Sequence, residues 1–401
     1  MAMNMTGPVK DGIINIYKPG GMTSNDVIYK LRQIIGIRKI GHTGTLDPMA
    51  EGVLPVLINR ASRINEYLDR DLKTYEASLI LGVSTDSLDV TGQVVRRCDP
   101  SAVTEEEVVG AVRSLFEGGE TENSDGSFRG VISQMPPLAS AVRIEGRHLY
   151  EYVHSDEELP EEIIKKLRHR RVWIDRISVD SVSVPEVKLT IRCSKGTYIR
   201  SIVRDIGDAI GCGAAMSSLK RTESGAFRQE ESVTVKELAE AARDAGLIDI
   251  ETEEPLRIKR HSGFGECIPE ALTGFVETID YPLDELGEVL VSGETAGRFF
   301  DGWHIPYGEC RILKEPEQAE WIERLSEEDQ AYDKEEKERN EGSHAGLKLH
   351  SEFLKTYRIY YDDADGRRVF VGTAVHSDRY HKLVADKVFL REHPTKKIDK
   401  K

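Results

Sequence analysis

At 401 residues, of which 39% are hydrophobic, the chain is long enough for two domains with buried cores. No stretch approaches the roughly 20 apolar residues of a membrane span. Residues 1–11 also lack the apolar segment of a signal peptide, so we expect a cytoplasmic protein without a membrane partner. The formal net charge of −15 does not exclude a polyanionic ligand, because 12 acidic and only 4 basic residues lie together in the segment 315–342.

The five cysteines are far apart and never have Cys-x-x-Cys spacing, which is typical of reduced structural thiols. Cys193 lies in an alternating apolar stretch and is predicted to be part of the core. The eleven histidines fall at no metal-ligand spacing with the cysteines, so the sequence predicts no metal site.

The first predicted elements are a strand over residues 12–17, a turn over 18–21 and a helix. Thr23 or Ser24 can cap this helix, and Gly36 ends it. The apolar positions of the helix recur at helical spacing: Val27, Leu31 and Ile34.

Residues 41–56 read GHTGTLDPMAEGVLPV and join a glycine-containing loop to an apolar, strand-like run over 53–58. Pro48 biases Asp47 towards extended backbone geometry, so the Asp47 carboxylate is presented at the end of a rigid element. An Asp before Pro commonly caps a turn, and a carboxylate on a rigid support also suits catalysis. Local chemistry leaves both interpretations open, and the turn is the commoner one.

Residues 61–72 are predicted to form a helix, and residues 73–82 a strand with alternating apolar positions. Tyr75 begins the apolar face of that strand, where it can be a core tyrosine whose hydroxyl reaches the rim. A helix with three acids in its first turn is predicted over 102–116, followed by a Gly/Ser-rich loop over 118–130.

A further helix is predicted over residues 159–171 and ends in the most basic heptad of the chain, KKLRHRR. Bases at a helix C-terminus stabilise the helix dipole. The same cluster can contact phosphate, and both interpretations stay open.

A strand over 187–193 and a turn at 195–196 precede a helix that Thr197 can cap. Tyr198 and Arg200 fall in the first turn of this helix, off its apolar stripe. A cation in the first turn opposes the helix dipole, so helix stability alone does not favour Arg200 there. Its presence implies a nearby anion.

Later in the chain, Leu219 is interpreted as a core leucine, residues 233–248 as a helix and residues 254–279 as a linker. The second half has weaker patterns. Its candidate strands lie at 354–361, 368–371 and 387–390.

Six motifs follow one another along residues 12–230. They are KPGGMTS at 18–24, GHTGTLDPMAEGVLPV at 41–56, TDSLDVTG at 85–92, SAVRIEGRHLYE at 140–151, KGTYIRSIVRDIG at 195–207 and SSLKRTESGAF at 217–227. Together they resemble the motifs of the TruB-type tRNA pseudouridine synthases, which isomerise the uridine of the tRNA T-loop. The run from Gly41 to Pro48 is long enough that a chance match is negligible.

The resemblance implies an α+β fold with a mixed, largely antiparallel central sheet flanked by helices, the pseudouridine synthase fold, and a smaller C-terminal β-rich domain. We expect residues 8–253 to form the catalytic domain, 118–171 to be an insertion that grips RNA, and 254–279 to be a linker. Residues 280–395 are weakly similar to a PUA domain, a small β-barrel that contacts RNA, and carry the charged insert 315–342.

The resemblance also implies roles for single residues. Asp47 matches the catalytic aspartate, Arg200 the arginine that keeps it ionised, and Tyr75 the tyrosine that stacks on the target base and can help to remove its C5 proton. The residues that would hold the flipped nucleotide are His42, Tyr75, Tyr198 and Leu219.

The implied reaction converts uridine 55 of tRNA to pseudouridine by breaking the C1′–N1 bond and forming a C1′–C5 bond. No atoms are gained or lost and no redox change occurs, so we expect no cofactor and no metal. The expected partner is the T-arm of tRNA, and the expected state is a monomer. Asp47 can attack the sugar carbon or remove the C2′ proton, and the sequence does not choose between these roles.

Three other functions fit parts of the sequence. A guide-RNA-dependent pseudouridine synthase subunit shares the motifs, but the long segment 118–171 favours a protein that grips a tRNA loop unaided. A non-catalytic tRNA-binding or tRNA-folding protein would not need Asp47, Tyr75 and Arg200 together. A glycoside hydrolase would need a second acid near Asp47, where the motifs supply Arg200.

Overall fold

The computed structural model describes residues 9–116, 121–138, 140, 143–144, 147–149, 167–253, 256–317, 321–322 and 355–395. These residues form one large sheet with helices packed on it and a smaller C-terminal sheet. The α-helices are α1 (Ser24–Ile35), α2 (Glu105–Arg113), α3 (Ile199–Ile210), α4 (Val235–Asp244) and α5 (Gly293–Phe300). None of the helices in these ranges is long and apolar enough to cross a membrane.

The strands are numbered along the chain. The first fifteen are β1 (Gly12–Lys18), β2 (Ile40–His42), β3 (Glu51–Ile58), β4 (Lys73–Leu81), β5 (Val83–Thr85), β6 (Val94–Arg97), β7 (Thr121–Glu122), β8 (Phe128–Gln134), β9 (Arg143–Ile144), β10 (Arg147–His148), β11 (Arg170–Ser183), β12 (Glu186–Cys193), β13 (Ala214–Ser224), β14 (Phe227–Arg228) and β15 (Val233–Thr234). The last eight are β16 (Ile248–Glu253), β17 (Leu256–Arg260), β18 (Gly287–Val291), β19 (Ile305–Pro306), β20 (Arg311–Lys314), β21 (Thr356–Asp362), β22 (Arg368–Ser377) and β23 (Lys382–Val388).

The large sheet has eleven strands, with the order β15-β1-β3-β13-β4-β12-β11-β8-β7 and with β2 and β14 paired to β3 and β13. All its pairs are antiparallel except β1 with β15 and β3 with β13. The predicted mixed, largely antiparallel sheet flanked by helices is therefore confirmed. The sheet places β3, β13 and β4 side by side at its centre.

Helix α1 illustrates how local sequence determines an element. Thr23 is its N-cap and forms a capping box with Asp26, and Gly36 ends it with a left-handed φ of 76°. The apolar stripe of α1 packs with α4 against β1 and β3. The bounds predicted from the sequence are confirmed.

A second core lies beneath β4, β12 and β13 and is covered by α2 and α3. Cys193 is fully buried in it, as predicted. Tyr75, Leu46 and Leu219 belong to the same apolar cluster, which therefore extends up to the loop that carries Asp47.

The helix predicted over residues 61–72 is wrong. The chain forms two 3₁₀-helices there, Asn59–Ile64 and Tyr67–Arg70. Their side chains are used in tertiary contacts: Arg63 Nη1, for example, donates to the carbonyl oxygen of Val388 at 2.7 Å. Contacts with the C-terminal strands decide the backbone here, and local propensity does not.

The helix predicted over residues 159–171 also needs correction. Arg170 and Arg171 begin strand β11, where they pair with Gln134 and Ser133, and do not end a helix. The remainder of that predicted helix, and most of the segment 118–171, lies outside the described residues.

Thr197 is not the N-cap of α3. Its hydroxyl donates to the carbonyl oxygen of Ser194 at 2.9 Å, and Tyr198 occupies the cap position without a side-chain cap bond. The backbone N–H of Tyr198 donates instead to Gln134 Oε1 at 2.8 Å. A side chain from a distant strand therefore satisfies the helix terminus, which a local pattern cannot reveal.

Residues 256–279 do not form an extended linker. Strand β17 pairs with β16, and Leu272 is fully buried in the core that α1 and α4 share. Arg260 donates to the carbonyl oxygens of Gln33 and Ile34 at the end of α1, both at 3.0 Å. The segment therefore packs as part of the larger body.

The C-terminal strands form a six-stranded sheet with the order β19-β23-β22-β21-β18-β20. The segment after β23 contacts the larger body, where Arg391 Nε donates to Asp11 Oδ2 at 2.7 Å. The assignment of residues 280–395 as PUA-like stays a prediction. Most of the charged insert 315–342 lies outside the described residues.

Candidate active site

The loop between β2 and β3 is held by the start of α1. The backbone N–H of Leu46 donates to Ser24 Oγ at 3.0 Å, and the same hydroxyl donates to the carbonyl oxygen of Leu46 at 3.2 Å. Gly21 N donates to Pro48 O at 2.8 Å. These bonds fix the backbone on both sides of Asp47, so the carboxylate has a rigid support.

Asp47 and Arg200 form a two-pronged ion pair. Arg200 Nε lies 2.9 Å from Asp47 Oδ2, and Arg200 Nη2 donates to Asp47 Oδ1 at 3.0 Å. The Arg200 side chain is 8% exposed, whereas the Asp47 side chain is 33% exposed. A buried guanidinium thus orients a carboxylate that an external ligand can reach.

The loop after β5 supplies further partners of Arg200. Arg200 Nη1 donates to Ser87 O at 3.0 Å and lies 3.7 Å from Asp89 Oδ2. Asp89 is buried and accepts bonds from Thr91 N at 3.0 Å and from Ser87 Oγ at 2.9 Å. Sequence reasoning missed the contribution of Asp89, although its place in the TDSLDVTG motif was the available signal.

A glycoside hydrolase would require a second carboxylate near Asp47, and Asp89 is the candidate for it because Arg200 contacts both residues. It is almost fully buried and engaged by Arg200 and Thr91, so it is not presented to a leaving group. This geometry disfavours the glycoside hydrolase interpretation.

Tyr75 is buried on β4, and Arg221, which pairs with it from β13, is the second residue that sequence reasoning missed. Arg221 is buried; its Nε donates to Val53 O at 2.7 Å and its Nη2 to Gly44 O at 3.1 Å. Burial raises the pKa of Tyr75, while the charge of Arg221 and a hydrogen bond with it act in the opposite direction. Arg221 therefore joins the Asp47 loop, strand β3 and the Tyr75 side chain.

Close passage of the strands around Arg221 requires glycine at one position. Gly52 has φ of 106°, and a Cβ there would lie 2.2 Å from Arg221 O. Gly41 and Gly44 do not adopt left-handed angles in the structure. The conformational demand therefore falls on the glycine after the loop.

His42 ends β2 close to these residues. Burial, followed by the charge of Arg221, lowers its pKa, so the ring is neutral near pH 7. Its Nδ1 is buried and has no hydrogen-bond partner within the described part of the chain. A ring with a lowered pKa is a weak base, which disfavours His42 as a general base.

Lys18 lies beneath the Asp47 loop. Its ammonium donates to the carbonyl oxygens of Met22 at 2.6 Å, Pro19 at 2.9 Å and Pro48 at 3.3 Å. Burial lowers the pKa of Lys18 to about 8, although the nearby charge of Asp47 acts in the opposite direction. This lysine was not among the residues that the sequence singled out as functional.

Leu219 and Tyr198 complete the predicted set. Leu219 is buried on β13 in the same cluster as Tyr75. Tyr198 is half-buried, two residues before Arg200 in the chain. No group of His, Cys, Asp and Glu among the described residues could hold a metal ion.

Two family models match adjacent parts of the chain: TruB family pseudouridylate synthase (N terminal domain) over residues 32–199, and tRNA pseudouridylate synthase B C-terminal domain over 200–256. A protein named tRNA pseudouridine synthase B from Clostridioides difficile (strain 630) is 41% identical over 226 residues, which are 56% of this chain and 69% of that protein. The chain belongs to the TruB family of pseudouridylate synthases. A relative of the same name from Geobacter sulfurreducens is 38% identical over 240 residues, which are 60% of this chain and 73% of that protein.

Solved structures show that the fold resemblance extends beyond the residues that the TruB-family models match. A Cbf5-Nop10-Gar1 complex contains a chain with a TM-score of 0.58 at 23% identity, covering 95% of this chain and 85% of that one. A chain of an H/ACA RNP bound to a substrate RNA containing 2′-deoxyuridine has a TM-score of 0.57 at 20% identity, covering 95% and 86%. At these identities the likeness shows a shared fold.

Proposed function

We propose that this chain converts uridine 55 in the T-arm of tRNA to pseudouridine, with Asp47 as its essential carboxylate. The relatives at about 40% identity are named for pseudouridine formation in tRNA. The observation that carries the proposal is the accessible Asp47 carboxylate, which is held at both oxygens by a buried Arg200. Apolar and aromatic side chains adjoin it.

The geometry supports a charged Asp47 during the reaction. Arg200 offsets the cost of enclosing a carboxylate, and it leaves the carboxylate open on one side. There, Asp47 can attack C1′ as the C1′–N1 bond breaks, or it can remove the C2′ proton; both routes need the same ionised oxygen. The Asp47–C1′ bond of the first route breaks as C5 bonds to C1′, and in the second route the proton returns to C2′ after that bond has formed. In either case C5 loses a proton, N1 gains one, and the overall composition of the RNA is unchanged.

The target uridine must leave its base stack before Asp47 can reach the sugar, which costs a few kcal/mol. We propose that Tyr75 and Leu219 offset part of this cost by contact with the base. Tyr198 and His42 complete the proposed nucleotide-binding set. The position of His42 at the end of β2, five residues before Asp47, supports its role as a ligand contact.

We further propose how the chain is divided. Residues 8–253 would be the catalytic domain and 118–171 its RNA-gripping insertion. Residues 280–395 would form a PUA-like domain that contacts RNA outside the T-loop. Because 256–279 pack on the larger body, we place the change between the two domains after residue 279.

The decisive experiment is nucleotide-resolution pseudouridine mapping of an unmodified tRNA transcript with the purified chain alone. We expect conversion at position 55 and none with Asp47→Asn. Absence of conversion by the wild type, or conversion at other uridines only, would contradict the proposal.

The shared fold with Cbf5 chains raises one second candidate, a synthase subunit directed by a guide RNA. The same transcript assay separates the two functions, because a guide-dependent subunit is inactive until guide RNA and its protein partners are added. The higher identity to the relatives named tRNA pseudouridine synthase B favours activity on bare tRNA.

A further inference from the structure

The outer face of the strand pair β8 and β11 is covered by an unexpected part of the chain. Ile132 and Val172 on these strands point into the core that contains Tyr75. Val131 and Trp173, which are paired neighbours, point to the opposite face because side chains alternate along strands. Trp173 is nevertheless only 1% exposed.

Trp321 and Ile322, from the charged insert of the C-terminal domain, cover this face. They form one buried cluster with Val131 and Trp173, and Leu72 packs against it. The surrounding segment 315–342 contains 12 acidic residues, so two buried apolar residues within it are an exception to its composition. They lie outside residues 32–256, which the family models match.

The base of the insert is tied to the same place by polar contacts. Arg70 Nη2 donates to Glu317 O at 3.0 Å, and Arg70 Nε lies 3.0 Å from Glu285 Oε2. Glu317 N donates to Glu285 O at 2.9 Å. Arg70 is almost completely buried and the Glu285 side chain is 51% exposed, so these contacts form a partly exposed bridge between the start of the insert and the segment before β4.

Strand β8 connects the Trp321 cluster to the candidate active site. Three residues beyond Val131, Gln134 Oε1 accepts the N–H of Tyr198 at 2.8 Å. The next carbonyl, that of Met135, accepts from Ser201 Oγ at 2.8 Å. Strand β8, which lies within the segment 118–171, therefore supports the start of α3, which carries Arg200.

We propose that Trp321 and Ile322 are an anchor that fixes the C-terminal domain against strands β8 and β11, so that both domains present their RNA-binding surfaces to one tRNA at a set spacing. Trp321 is thus a positioning residue that acts on the binding of whole tRNA. This inference rests on the proposed function and adds a determinant of substrate size to it. Linking two binding surfaces raises the affinity only for a ligand that reaches both of them.

The docking itself can be tested without RNA, because the chain has only three tryptophans. Trp303 is 68% exposed and lies outside the buried cluster. The variant Trp303→Phe therefore leaves emission from Trp173 and Trp321 alone. We expect weak acrylamide quenching in this variant. Adding Trp321→Ala should expose Trp173 and increase its quenching several-fold; unchanged quenching would overturn the docking.

The effect on function is tested with two substrates, whole tRNA and an isolated T-arm stem-loop. For Trp321→Ala we expect KM for whole tRNA to rise about tenfold, with kcat and both constants for the stem-loop within about twofold of the wild type. Trp321→Phe should restore most of the loss. If kcat fell for both substrates, or if neither substrate were affected, the anchor would have no positioning role.

Failure of this inference is distinguishable from failure of the proposed function. A wild type that converts no uridine would overturn the function. An active wild type together with an unchanged KM for whole tRNA in Trp321→Ala would overturn the anchor alone.

Discussion

Asp47 and Arg200 are 153 positions apart in the chain, and one guanidinium holds both oxygens of the carboxylate. Arg200 lies in the first turn of α3, where a cation opposes the helix dipole. The carboxylate of Asp47, the carbonyl of Ser87 and the nearby carboxylate of Asp89 compensate for this placement. The charge that destabilises the helix thus orients the candidate catalytic group.

Asp47→Asn should abolish pseudouridine formation while leaving tRNA binding within a few-fold of the wild type. The amide has nearly the shape of the carboxylate but lacks its charge, so it can neither attack C1′ nor accept the C2′ proton. We expect a rate loss of more than about 10³-fold, measured by single-turnover conversion of labelled tRNA. Conversion at the wild-type rate would show that Asp47 is not the catalytic carboxylate.

Arg200→Lys should reduce turnover by about 10²-fold or more with a small change in RNA affinity, because a point charge cannot reproduce the planar fork. Arg204→Lys is a matched control on the same helix, since Arg204 pairs with the adjacent Asp205 and not with Asp47. The control should keep near-normal turnover. An equal loss of turnover and affinity in Arg200→Lys would indicate a phosphate contact instead.

Arg221→Lys should weaken both stability and catalysis. The lysine cannot keep the bonds to Val53 and Gly44 and the contact with Tyr75 together, so buried acceptors lose their donors. We expect the free energy of unfolding in urea to fall by about 2 kcal/mol. Turnover should fall more than tRNA affinity, and a variant with normal turnover would contradict the link between Arg221 and the Asp47 loop.

Leu219→Ala should separate a packing role from a role in substrate contact. Removing this buried side chain should lower the free energy of unfolding by about 2–4 kcal/mol. Leu79→Ala, in the same core cluster, is the matched control and should cost a similar amount. Under conditions where both variants are folded, only Leu219→Ala should lose turnover; equal turnover would assign Leu219 to the core alone.

The alkaline pH dependence should report on Lys18, whose pKa burial lowers to about 8. Above that pH the folded protein loses a positive charge near Asp47, so the single-turnover rate should decline. Lys18→Met should be slower at neutral pH and should lack this decline. The ratio of the two rates from pH 7 to 9.5 removes any ionisation of the RNA itself, and a constant ratio would exclude Lys18.

The same group has an opposite effect on stability. In the unfolded chain a lysine keeps its proton up to about pH 10.5, whereas folded Lys18 releases it near pH 8. The unfolded state therefore binds more protons between these values, and the contribution of Lys18 to the free energy of unfolding rises with pH in that window. Urea unfolding of the wild type and Lys18→Met at pH 7 and 9.5 measures the difference.

The sequence predicted those parts of the fold in which neighbours along the chain supply the stabilising contacts. The capping box and terminal glycine of α1 and the alternation in β4 are local patterns, and both elements were predicted within about one residue. The motifs also identified Asp47, Tyr75 and Arg200, but their catalytic roles stay predictions. The 3₁₀-helices before β4 and the cap of α3 were missed because residues from distant strands determine them.

By itself, the sequence determined which residue types could perform the chemistry, and the position of Arg200 in a first turn showed that an anion had to lie nearby. Only the tertiary structure decided that Asp89, Arg221 and Lys18 surround the same loop, and that Trp321 covers Trp173. Hydrogen bonds and apolar contacts between distant segments leave no periodic signal in the chain. They exist only once the sheet has brought those segments together.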